Sequence, residues 1–189
     1  MHSLDDTFAE LTAKLKDPDA LNPAKSDPLF YFVHDPADSL SLKLKLPVWT
    51  AALEREGWGV RRISLSELVW KIVDRSGRWE EWLAIEPEAD PEEMNEAIRD
   101  VLRSGNVLVE AVAQHVESPG DRTLVLLTDA AMLHPYFRVR TLESGLHDRV
   151  RVPTVLFYPG RRSGQYGLHF LGFYPVDGNY RSTLVGGLE

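Results

Sequence analysis

Three short apolar runs punctuate the chain: Leu29 to Val33, Thr123 to Thr128 and Pro153 to Tyr158. Each carries no charge and is bounded by Pro, Gly or Asp, as expected of strands buried on both faces. Val60 to Leu65 reads as a further strand, with Val60 and Ile63 as core candidates. Leu168 to Phe173 alternates apolar and polar and predicts an edge strand with a polar outer face. Pro159-Gly160 marks an abrupt end to the third apolar run, and the tail from Tyr174 to Glu189 shows little pattern.

Helical spacing fills the intervals. Ser3 is an N-cap candidate for a helix carrying Leu4, Phe8, Leu11 and Leu15, stopped by Asp17-Pro18; residues 18–28 are loop by composition. Ser66 is placed to cap a helix with Leu68, Val69, Ile72 and Val73, and Trp79, Trp82, Leu83 and Ile85 continue its apolar face. Asp90-Pro91 starts a helix burying Met94, Ala97, Ile98, Val101 and Leu102, and Gly105 breaks it. Another covers residues 106–116 over Leu108, Ala111, Val112 and His115. Pro119-Gly120-Asp121 is a turn, and Ala130 to Arg149 is helical. One stretch is ambiguous. Ser39 to Pro47 (SLSLKLKLP) alternates like a strand, yet Leu40, Leu44, Val48 and Leu53 fall near one helical face. A helix from about Ala37 to Glu56, kinked near Pro47, is the preferred reading.

Strands alternating with helices imply βαβ units and a parallel sheet covered on both faces. The expectation is one α/β domain over residues 1–189: an open, mostly parallel sheet of about five strands in a three-layer sandwich. Its topology is expected to be like that of P-loop NTPases, but without the P-loop.

Composition narrows the chemistry. Hydrophobic residues make up 43% and charged residues 26%, enough for a core. The absence of cysteine removes disulfides, zinc–thiolate sites and thiol nucleophiles. An acidic start without an apolar leader, and no apolar run near ~20 residues, predict a cytoplasmic protein without a membrane span. The net charge of −8 makes direct nucleic-acid binding weak at best. That charge is uneven. Residues 134–189 hold seven Arg against four acids (+3), leaving 14 basic and 25 acidic groups (−11) in residues 1–133. Those arginines either pair with the acidic part of the same chain or face a partner.

Ligands of open α/β sheets bind beyond the carboxyl ends of strands. The loops there begin at His34-Asp35, at Thr128-Asp129, and at Tyr158-Pro159-Gly160-Arg161-Arg162. If the strands are neighbours, Asp129 and His134 approach Arg161 or Arg162. The phosphate-cradling G-x-x-x-x-G-K-[ST] is absent, as are G-x-G-x-x-G and the G-x-S-x-G elbow. An Asp ending an apolar strand is a weak magnesium signal and is more often a cap for the segment after it. His34, Asp35, Asp129 and His134 lack metal-ligand spacing, so no metal or other cofactor is expected. Tyr136, Phe137, Arg138 and Arg140 combine aromatic and guanidinium groups in the manner of interfaces, or form an amphipathic helix with Phe137 inward. Tyr158, Tyr166, Tyr174 and Tyr180 add half-polar surface, with Arg181 beside the last.

LVLLTDAAMLHPYFRVRTLESGL followed by VPTVLFYPG resembles the second half of the BrxB family of BREX phage-defence systems. The matching positions include Leu127, Thr128, Pro135, Arg138, Leu142, Leu146 and the Pro153–Gly160 segment. Gly164, Leu168, Phe170 and Gly172, then Asp177, Asn179, Tyr180 and Arg181, are similar to the family's closing stretch; Phe8, Leu11 and Phe30 to Pro36 fit as well. Asp129-Ala130-Ala131 departs from an expected glycine-containing turn, Arg140 stands where His is common, and Trp79 to Glu88 has no counterpart. The resemblance implies a core component working beside an ATPase, an adenine-specific DNA methyltransferase and a PglZ-like protein, and it brings no catalytic residues. Three readings compete: a non-catalytic adaptor, most readily for the PglZ-like protein; a degenerate nucleotide-binding enzyme using Asp35, Asp129 and Arg161; and an accessory subunit touching nucleic acid through Arg138, Arg140, Arg161, Arg162 and Arg181.

Overall fold

A computed structural model describes residues 3–118, 122–164, 167–178 and 180–187. The predicted Pro119–Asp121 turn, Tyr166 and Asn179 therefore lie outside the described residues. The apolar runs form the interior strands: β1 (Leu29–His34), β3 (Thr123–Thr128) and β4 (Thr154–Ser163). With β2 (Gly59–Ser64) and β6 (Thr183–Gly186) they make a parallel sheet in the order β2-β3-β4-β1-β6. β5 (Gly167–Phe170) pairs antiparallel with β4, and its Leu168 also bridges Asp177. The protein is thus α/β with an open, mostly parallel sheet flanked by helices, as its strand–helix alternation predicts.

Strand alternation divides the core. Phe30 and Phe32 face α1 (Leu4–Lys14) and α2 (Ser39–Arg55), packing with Leu11, Leu46, Trp49 and Leu53. Leu29, Tyr31 and Val33 face the opposite layer, built from α3 (Leu65–Arg75), α5 (Pro91–Arg103), α6 (Val107–Val116) and α7 (Val139–Leu146). The short α4 (Trp79–Ile85) precedes α5. Ser3 closes a capping box with Asp6, and Asp90 caps α5 with Pro91 in its first turn, both as expected.

Several expectations are corrected. α2 is helical through Pro47, but its buried positions are Leu42, Leu46, Trp49 and Leu53, while Leu40, Leu44 and Val48 are exposed. Apolar residues line both sides of this helix, so spacing alone did not choose the inner one. Ser64, not Ser66, caps α3. Of the predicted apolar face on α4 only Trp82 is buried, and of that on α5 only Leu102 is. The helical reading of residues 130–149 divides into a 3-10 turn (Ala130–Leu133) and α7; Pro135, between them, lacks the N–H that a continuous helix needs.

β4 does not end at Pro159-Gly160. It leaves β1 at the His34–Pro159 pair and continues along β5, placing Gly160 opposite Phe170 and Arg161 opposite His169. Gly160 permits this turn of partner: a Cβ there would lie 2.3 Å from the His169 carbonyl oxygen. β5 is largely buried, with Leu168 and Phe170 in the core. β6, in the tail that showed little pattern, adds an edge beside β1.

Candidate functional site

The strand-end loops converge as topology demands. His34, Thr128, Asp129 and Pro159, with Ser39, Lys43 and Met132, line one cavity of about 180 Å³ at the carboxyl edge. Its polar centre is Asp129, which starts the 3-10 turn in a left-handed conformation (φ 62°). Lys43 Nζ lies 3.0 Å from its Oδ1, while the Ser64 and Thr128 hydroxyls donate to Oδ2 at 2.8 and 2.9 Å. Burial alone would raise this carboxyl; the Lys43, Ser64 and Thr128 hydrogen bonds outweigh it and hold the group below the ordinary Asp range. Ser64 also receives the Glu67 N–H, so one hydroxyl caps α3 and ties it to the end of β3.

The predicted pairing of Asp129 or His134 with Arg161 or Arg162 does not occur. Arg161 instead donates twice to Asp35 Oδ2 (3.2 and 2.9 Å). The Arg162 Nη1 reaches the Gly186 carbonyl oxygen (3.2 Å), and His134 meets the Tyr174 hydroxyl. Lys43 and Ser64 were missed by sequence reasoning because one sat in the ambiguous SLSLKLKLP stretch and the other at a strand end with no motif around it.

Where a phosphate cradle would follow β1, the chain satisfies itself. Asp35 accepts the Ala37 N–H at 2.9 Å, Pro36 has no N–H, and the Asp38 N–H bonds the Asp35 carbonyl oxygen. The Ala37 hydrogen bond chiefly, then Arg161, keeps the Asp35 carboxyl low. His34 is buried and donates from Nδ1 to the Asp35 carbonyl oxygen (2.9 Å), and desolvation lowers its pKa, so its ring is neutral at pH 7.

Tyr158 and Tyr180 are not surface groups. Tyr158 stacks on Tyr31 and Tyr180 meets both edge-on in a buried cluster, where burial raises all three phenols, Tyr180 to about 12. Arg181 lies at the amino edge of the sheet, against His147, near Asp27 and Glu143. Asp27, His147 and Asp148 form the one group of metal-type ligands found among the described residues, and Arg181 donates to that imidazole's Nε2. None of His34, Asp35, Asp129 and His134 belongs to that group.

A second surface forms beyond β5. An aromatic row climbs from the core: Tyr158 to Phe170 (centroids 5.4 Å), Phe170 to Tyr174 (5.7 Å), Tyr174 to Phe173 (5.0 Å, stacked). Phe173, at its end, is 65% exposed, and Val176, three residues on, is 51% exposed. His134 packs edge-on against both outer rings, the Arg138 guanidinium covers Tyr174 at 4.7 Å, and Arg140 pairs with Asp177 alongside. Phe137 points inward, as an amphipathic reading requires.

A family model described as BREX protein BrxB matches residues 61–185. The chain belongs to the BrxB family. The match runs from β2 into β6 and therefore includes Asp129, the aromatic row and the α4 region, which the resemblance left without a counterpart. It leaves out β1 and α2, which supply Asp35 and Lys43 to the rim. No curated protein and no solved structure matches the chain. Membership makes this BrxB-family protein a component of a BREX phage-defence system, involved with other BREX proteins. Among the described residues no helix is long and apolar enough to cross a membrane.

Proposed function

We propose that this protein is a non-catalytic assembly subunit that holds a PglZ-like BREX protein through the Phe173 face. The observation that carries the reading is the exposed end of the aromatic row: Phe173 lies open to solvent while its neighbours Tyr174 and Phe170 are anchored in the fold. Rigid aromatics beside arginines are the residues on which interface energy concentrates. The Arg138 guanidinium, lying over the Tyr174 ring, suits a carboxylate on a partner. The test is co-purification of the full chain with the PglZ-like protein of its own locus. Phe173→Ala with Arg138→Ala is expected to weaken that complex at least about tenfold, a typical loss for a hot-spot pair, with the melting temperature unchanged. An undiminished complex, or none at all with the native chain, would sink the proposal.

One observation favours a second reading, a nucleotide-binding site: Lys43 and Asp129 border a cavity at the carboxyl edge of the strands. It predicts a rise in melting temperature with ATP or GTP plus magnesium, lost in Lys43→Ala. A flat thermal-shift series removes it.

A further inference from the structure

The face formed by α3 and α4 carries a second apolar surface, distant in sequence from Phe173. Trp79 and Leu83 are 40% and 47% exposed and follow each other at i and i+4 along α4. Trp70 of α3 meets Trp79 edge-on at 6.1 Å between centroids and is itself exposed. Two tryptophans and a leucine sharing the outside of a protein form a patch of the kind that marks interaction sites. A strong field surrounds them. Residues 79–103 contain nine Asp and Glu, all exposed, against Arg99 and Arg103, a net −7 within a chain of net −8. Arg99 is already held by Glu92 (2.6 Å) and Glu96. Including α3 and its connection, residues 66–103 hold 11 acidic and five basic groups, still −6.

We infer that this face docks a cationic protein segment, a Lys/Arg-rich amphipathic helix whose apolar side covers Trp79 and Leu83. Apolar anchors supply affinity, while the acidic surround steers a basic segment and repels nucleic acid and anionic lipid. Its apolar anchors lie on α3 and α4, whereas Phe173 lies beyond β5, so the inference gives this BrxB-family chain two binding surfaces of different chemistry.

The probe is a fluorescein-labelled Leu/Lys amphipathic helix of about 18 residues, the helix-in-groove mode of recognition, with a Leu/Glu counterpart as control. Anisotropy is read with the full chain at low salt. The Leu/Lys peptide is expected to bind and the Leu/Glu peptide to fail. Trp79→Ala with Leu83→Ala, which keeps the charge, is expected to weaken binding about tenfold, the scale of losing buried anchors. Joint Glu80→Lys, Glu81→Lys, Glu86→Lys and Glu88→Lys is expected to abolish it. Arg138→Glu with Arg140→Glu, on the Phe173 face, should leave it unchanged, which separates this test from that of the PglZ-like partner. Absence of binding, indifference to the Trp79/Leu83 change, or indifference to charge reversal each overturns the inference, the second by reducing the effect to a diffuse field. All substituted positions are exposed, and matched melting temperatures confirm folding; should a lysine variant unfold, the corresponding Glu→Gln set supplies the same test.

Discussion

The strand-end rim and the Phe173 face are both built from C-terminal extensions of strands, yet only the second leaves a large apolar side chain in water. At the rim the Asp129 and Asp35 carboxylates are answered from within: Asp129 by Lys43, Ser64 and Thr128, Asp35 by Arg161 and the Ala37 N–H. At the Phe173 face Arg140 is paired with Asp177 and Arg138 lies over the Tyr174 ring, but apolar area is left in water. The contrast teaches where binding energy is available. A satisfied charge gains little from a new partner, whereas an exposed ring on a rigid base gains from each contact that dries it.

The largest effect that would break this comparison comes from Phe170, the link between core and outer rings. Phe170→Ala is expected to cost about 3 kcal/mol, in the range for a buried aromatic, and to lower the melting temperature by roughly 6–12 °C for a chain of this size. A change below about 1 kcal/mol would mean the outer rings do not rest on the core.

Next comes Asp129→Ala. It strands the Ser64 and Thr128 hydroxyls and places alanine at positive φ, and about 2 kcal/mol of destabilisation is expected in urea unfolding. The pH dependence follows from the lowered carboxyl. A group whose folded pKa lies below its unfolded value stabilises fully above the unfolded value, near pH ~4 for Asp, and loses that contribution as pH falls through the folded value. The gap between the native chain and Asp129→Asn should therefore be open at pH 6 and close as the pH drops below the ordinary Asp range; a gap independent of pH would mean the Lys43 ion pair contributes nothing.

The smallest effect is expected at Arg161. Its pair with Asp35 is solvent-exposed, and Arg161→Ala should change stability by no more than about 0.5 kcal/mol, shrinking further in high salt. A loss several times larger would show that the rim, like the core, depends on that ion pair.

Much of the candidate site was legible in parts without being legible as a whole. Asp35 and Asp129 were identifiable because apolar strands point their carboxyl ends at a common rim. Their partners were not, since pairing depends on which side of β4 each loop leans. Arg149 illustrates the same point: the acidic half answers it through Glu110 and Glu117, at a distance no spacing rule reaches.

The amino-acid sequence by itself determined the elements whose signals are local and redundant. β1, β3 and the first half of β4 are uninterrupted apolar runs, and the Ser3 and Asp90-Pro91 caps satisfy helix ends within a few residues. Tertiary structure decided what local preference left degenerate: the inner side of a helix apolar on both sides, the passage of β4 through Pro159-Gly160 into β5, and the four-residue β6. Tyr158 and Tyr180 were buried by the same agency, because a tyrosine suits core and surface alike until neighbouring rings exclude water. In each case burial against a distant segment outweighs the modest preferences that neighbours in sequence impose.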